Sequence, residues 1–152
     1  MWKFYSLLLM TVFSLQCFGQ KVDYSSKLIG SWSYVESRDE QGKKIEPDNG
    51  IRILMNEPNL FYSNDFNYKK IFTPENSDTG KWKFNSKTMT IEHDLFIDST
   101  DFIGKDLIKQ GLAKKQKDGK YYQKDDSKVL KLTDKEMIIQ GTGIQVVYKK
   151  EK

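Results

Sequence analysis

The scarcest residues limit the function classes first. The 152 residues include one cysteine (Cys17), one histidine (His93), three prolines and two arginines (Arg38 and Arg52). A single cysteine excludes a disulfide framework and a thiolate zinc site. No HExxH, Gly-rich phosphate loop or Ser–His–Asp order is present. The one long apolar stretch lies at the N-terminus and the mean hydropathy is −0.67, which excludes a polytopic membrane protein. Disorder is excluded as well, because the 30% charged residues are accompanied by 38% hydrophobic and 13% aromatic ones. Twenty-five Lys and Arg against 21 Asp and Glu leave a modest formal charge of +4. At this length the chain forms one domain around one core.

The N-terminus reads as an address. Met1, Trp2 and Lys3 precede an apolar run over 4–15, too short to cross a bilayer comfortably. Cys17 and Gly19 are small residues at the −3 and −1 positions of a cleavage site after Gly19. Residues 1–19 are therefore expected to be a signal peptide, and 20–152 an exported domain, periplasmic or secreted, with no cysteine and no transmembrane segment. Lipid anchoring at Cys17 is the weaker reading, because Gln16 stands where a lipobox requires Gly or Ala. Stability after export then rests on packing and hydrogen bonds rather than disulfides.

The remainder alternates with period two between turn residues. Strands are expected at 30–36, 51–55, 60–63, 68–72, 80–84, 88–92, 128–132, 137–140 and 144–148. Residues 74–78 read as a loop; 85–87, 133–135 and 141–143 read as turns. One stretch departs from this rhythm. Ile103, Leu107, Ile108 and Leu112 form a helical stripe, with N-cap candidates at 99–101 and a terminator at Gly111. A short helix over 101–110 follows, placed to cover an end of a barrel, although Gly104 in its interior argues against it. Many short strands without strand–helix alternation predict an all-β antiparallel sandwich or barrel.

The strand beginning at Gly30-Ser31-Trp32, close behind the cleavage site, resembles the lipocalin signature. Residues 27–150 resemble the small exported lipocalin-like domain proteins of Bacteroidetes-type bacteria. The likeness rests on Leu28-Ile29-Gly30-Ser31-Trp32, on Gly80-Lys81-Trp82, on a Leu-x-Leu-Thr-Asp-x-x-Met-Ile-Ile hairpin from Leu130 to Ile139, and on the ending Tyr148-Lys149-Lys150. It implies an up-and-down, lipocalin-like (calycin) β-barrel. In such a barrel Gly30 permits a close backbone approach, and Trp32 plugs the closed end with its indole N–H on a backbone carbonyl. A basic side chain from the last strand is implied over that ring; without an arginine there, Lys149 or Lys150 takes the place. Thr-Asp-Tyr, a second family motif, survives only as Thr133-Asp134-Lys135 in another part of the chain, a departure from the transporting lipocalins.

Three constellations are candidates for function. His93 lies between Glu92 and Asp94, but successive strand residues face opposite ways, so the three do not converge. Its position predicts an exposed strand end. The aromatics Tyr34, Phe61, Tyr68, Trp82, Phe84 and Tyr148 line a cavity or fill a core, since an eight-stranded interior suits either outcome. The run Lys105, Lys109, Lys114, Lys115, Lys117, Lys120 and Lys124 reads as a solvated surface, not a nucleic-acid site.

The favoured expectation is a monomeric binding protein, not an enzyme, with no cofactor or metal and a small hydrophobic or amphipathic ligand. Gly30 and Trp32 form the structural plug, and Tyr34, Phe61, Trp82, Phe84 and Tyr148 form the ligand wall. The alternative is a solid-core barrel whose loops and 99–116 insertion contact an envelope protein or an enzyme it inhibits.

Overall fold

The computed structural model describes residues 24–46 and 57–152. The expected signal peptide, including Cys17, and the expected strand at 51–55 lie outside the described residues. A short helix α1 (Tyr24–Leu28) leads into β1 (Gly30–Asp39), followed by β2 (Asn59–Tyr62), β3 (Asn67–Thr73), β4 (Asn76–Asn85) and β5 (Thr90–Ile97). Helix α2 (Phe102–Lys109) and the short strands β6 (Ala113–Lys115) and β7 (Tyr121–Lys124) come next. Strands β8 (Ser127–Leu132), β9 (Glu136–Gln140) and β10 (Ile144–Lys150) complete the chain.

All pairings are antiparallel, in the order β4-β3-β2-β1-β10-β9-β8-β5, and a β4–β5 pairing closes these eight strands into a cylinder. The fold is thus the expected all-β barrel with one excursion between β5 and β8. Strand β5 forks: Thr90 and Ile91 pair with β8, whereas residues 94–97 pair with β7, which carries β6 outside the cylinder.

Two segments differ from the sequence expectation. Residues 74–78 are not a loop, because Thr73 already pairs with Asn76 and only Pro74-Glu75 make the turn. Proline's fixed φ suits that turn, and the start of β4 is polar and exposed, so no apolar alternation marks it. The lysine-rich stretch contains β6 and β7, joined by a turn in which the Gln116 amide donates to the Lys120 carbonyl at 2.9 Å. Its lysines remain at the surface; Lys124 pairs with Asp94 at 2.8 Å.

Helix α2 matches its caps. The Asp101 carboxylate accepts from the Gly104 amide at 2.6 Å, and Gly111 adopts a φ of +73° just past the end. Gly104 is required by space: a Cβ there would stand 1.8 Å from the Asp98 carbonyl oxygen. That close approach outweighs the roughly 1 kcal/mol of helix propensity that glycine forfeits. The helix lies along β6, and among the described residues none of its side chains lines the barrel interior, so it does not cover an end. Half of its stripe is solvated, with Ile103 69% and Leu112 51% exposed, while Leu107 and Ile108 are half-buried.

Helix α1 closes the barrel instead. It crosses β4 and β8 where β1 begins and β10 finishes, with the Tyr24 ring tilted against Phe84 at 6.0 Å between centroids. Trp32 is fully buried, and its indole N–H donates to the Leu28 carbonyl at 2.7 Å. Lys150, not Lys149, supplies the cation, with Nζ 5.3 Å from the Trp32 ring centroid and donating to the Lys27 carbonyl at 2.8 Å. Gly30 passes beneath with a φ of +124°, in the region that favours glycine, and a Cβ would meet Lys150 Cε at 3.0 Å.

Candidate binding site

At the opposite end, beside the β9–β10 turn at 141–143 and the 125–128 segment, the barrel opens to solvent through a half-open cavity of about 400 Å³. Strand parity decides what enters it. On β2, Leu60 and Tyr62 face inward and Phe61 does not; on the paired β3, Tyr68 and Lys70 face the same space. Strand β5 adds His93, β9 adds Ile139, and β10 adds Val146 and Tyr148. The lining therefore combines aliphatic side chains (Leu60, Ile139, Val146) with a polar part of phenol hydroxyls and an imidazole.

His93 organises the polar wall. It is 4% exposed, and its Nδ1 lies 2.6 Å from the Asp125 backbone carbonyl oxygen. A carbonyl only accepts, so Nδ1 carries the hydrogen and Nε2 is left as an acceptor. The Tyr62 hydroxyl, 3.1 Å from Nε2, is then the donor. Burial holds the His93 pKa below its ordinary 6.5, so the ring is neutral at pH 7. Burial likewise pushes the Tyr62, Tyr68 and Tyr148 phenols up, keeping all three protonated. Tyr68 lies 4.5 Å from the His93 ring and stacks on Tyr62 at 6.0 Å. Its hydroxyl is buried, yet has no hydrogen-bond partner among the described residues. Nearer solvent, Lys70 pairs with Asp125 at 3.1 Å.

This placement corrects the reading of His93 as an exposed strand end. Strand β5 continues to Ile97, so His93 is mid-strand on the inward face, while Asp94 points outward to Lys124. Of the five expected wall residues, Tyr148 lines the cavity; Tyr34, Phe61, Trp82 and Phe84 do not. A bulge between Tyr34 and Glu36 inserts Val35 and shifts parity, and the Tyr34 hydroxyl meets Ser37 Oγ at 3.2 Å. Phe61 falls on the outer parity of β2. Trp82 points inward but lies behind Tyr62, 5.4 Å between centroids, with Phe66 on its other side at 5.6 Å. Phe84 packs on α1. Tyr62, Lys70 and Asp125 were not anticipated; only the inward parity that Tyr62 shares with Leu60 hinted at the first.

Among the described residues, no group of three His, Cys, Asp or Glu side chains is placed to hold a metal, and no helix is long and apolar enough to cross a membrane. What the site offers is a half-open space with aliphatic side chains, a hydroxyl donor without a partner among the described residues, and a polar mouth.

A closed antiparallel cylinder, stoppered by a tryptophan at one end and hollow at the other, defines a lipocalin-like barrel. Solved structures share this fold. A lipocalin-like protein from Bacteroides uniformis superposes with a TM-score of 0.50 at 13% identity, over 82% of this chain and 99% of its own. An uncharacterized protein from Bacteroides eggerthii gives a TM-score of 0.50 at 16% identity, over 82% of this chain and 99% of its own. No family model matches the sequence, and no curated protein does.

Proposed function

We propose that this protein is an exported lipocalin-like binding protein that takes a small amphipathic molecule into its barrel. The observation that carries this reading is the cavity of about 400 Å³, aliphatic along Leu60, Ile139 and Val146 and hydroxyl-lined along Tyr62 and Tyr68. Ligand cavities commonly occupy about 300–1,000 Å³ and combine apolar surface with a few fixed polar groups. Apolar ligand area buried there contributes about 25 cal/mol per Å², while the polar wall sets orientation. The hollow interior supports this reading over a solid-core barrel acting through its loops. Export is supported by the leader-like residues 1–19, and the polar wall is read as holding its ligand without transforming it.

Titration of the purified protein with the neutral fluorescent probe N-phenyl-1-naphthylamine tests the proposal. Saturable uptake with a change in tryptophan emission is expected, because Trp82 lies directly behind Tyr62. Absence of saturable binding for this probe and for a panel of alcohols, fatty acids and sterols removes the cargo role.

A further inference from the structure

Resting on that cargo reading, we infer that the cavity selects a neutral molecule whose hydroxyl or carbonyl oxygen is seated on the Tyr68 hydroxyl, in preference to a carboxylate of the same chain length. Tyr68 is 1% exposed and lines the cavity, and its O–H finds no acceptor among the described residues. A buried donor left unpaired costs about 1–3 kcal/mol, which a ligand oxygen recovers by accepting from it. Tyr62 cannot provide the same service. The Asp125 carbonyl fixes the hydrogen on His93 Nδ1, so Nε2 accepts the hydrogen bond donated by the Tyr62 hydroxyl, whose oxygen is left only as an acceptor. Tyr62, directly paired with Tyr68 across β2 and β3, is fully buried, so Tyr68 is the donor left for a ligand oxygen.

The charges around the cavity discriminate against an acid. Glu57, Asp125 and Asp126 supply three carboxylates to its lining, and Lys70 and Lys128 supply two ammonium groups. Lys70 is paired with the Asp125 carboxylate at 3.1 Å, while Lys128 is turned to the Thr88 carbonyl at the exposed surface. Among the described residues, Glu57 and Asp126 have no ion-pair partner. Among the described residues the lining carries one more carboxylate than ammonium groups, so a ligand carboxylate entering this space meets net negative charge, and a buried charge without a partner is costly.

Calorimetric titration with 1-decanol and with decanoate at pH 8 provides the test. Decanol is expected to bind at least about tenfold tighter, and Tyr68→Phe to weaken decanol by about tenfold while preserving the ring and the thermal unfolding profile. Tyr34→Phe, outside the cavity, should leave decanol affinity unchanged. The charge argument has its own variant: Glu57→Gln with Asp126→Asn should strengthen decanoate several-fold and leave decanol unaltered. Decanoate binding as tightly as decanol, unchanged decanol affinity in Tyr68→Phe, or no gain for decanoate in the double variant overturns the inference. Uptake of N-phenyl-1-naphthylamine alongside a preference for decanoate would remove this inference and leave the cargo reading standing. Failure of every probe removes both.

Discussion

Near α1, the buried polar groups around Trp32 are matched. The indole N–H reaches the Leu28 carbonyl, and the Lys150 ammonium reaches the Lys27 carbonyl while lying against the ring. At the opposite end Tyr68 is buried almost as deeply, yet among the described residues its hydroxyl has no partner, and His93 is held neutral beside it. The contrast separates two jobs within one core. One end spends its hydrogen bonds on closing the cylinder; the other leaves a buried donor unmatched among the described residues, at some cost to stability. Substitutions at the two ends should therefore differ in kind as well as size.

The largest effect is expected at the plug. Trp32→Ala removes a fully buried indole and leaves the Leu28 carbonyl and Lys150 without their contacts. A loss of about 3–5 kcal/mol in urea unfolding is expected, the range for large aromatic truncations in a core. A loss below about 1 kcal/mol would mean that this end is not the keystone, and the contrast between the ends would fail.

Next comes Gly30→Ala, expected to cost about 1–3 kcal/mol because a non-glycine residue is strained at a φ of +124°. The added Cβ also meets Lys150 Cε at 3.0 Å, but that side chain can move. Repeating the substitution in a Lys150→Ala background separates the two causes. If the cost persists, the backbone dominates; if it vanishes, the contact with Lys150 was responsible.

The two ends also differed in how far the sequence revealed them. Gly30-x-Trp32 opens β1, and the plug with a lysine from the last strand could be anticipated because the lipocalin resemblance carried by that short motif implies both. The turns at 133–135 and 141–143 and the capped helix α2 were legible because each is written within a few consecutive residues. The polar wall was not. Tyr62, Tyr68 and His93 come from three strands and meet only through pairing register, while two bulges, at Val35 in β1 and Leu130 in β8, break the parity count. Strands β6 and β7 were hidden by lysines, since they pair outside the cylinder and need no alternating apolar face. His93 was misread because β5 was ended too early; Leu95 and Ile97 continue its inward parity.

The smallest effect concerns that histidine and is read as a slope against pH. His93 is enclosed by Tyr62 on β2, Tyr68 on β3, and the Asp125 backbone, with the carboxylates of Asp125 and Asp126 raising its pKa and Lys70 lowering it. Burial outweighs the carboxylates, so the folded pKa lies below the ordinary 6.5. As pH falls below 6.5 the unfolded chain takes up a proton that the folded one refuses, and stability declines until the folded pKa is reached. One group cannot contribute more than about 1.4 kcal/mol per pH unit. The surface carboxylates act in a lower window. Asp65, Asp98 and Asp118 are held below 3.8 by hydrogen bonds from the Ser63 hydroxyl, the Thr100 amide and the Tyr122 hydroxyl respectively, and their stabilisation is lost only as pH falls through those depressed values. His93→Gln, whose amide can still donate to the Asp125 carbonyl and accept from Tyr62, should flatten the decline between pH 6.5 and the carboxylate range in urea unfolding. An unchanged slope in that variant would mean that the ring titrates alike in the folded and unfolded chains, and that the wall around Tyr68 is wetter than its burial indicates.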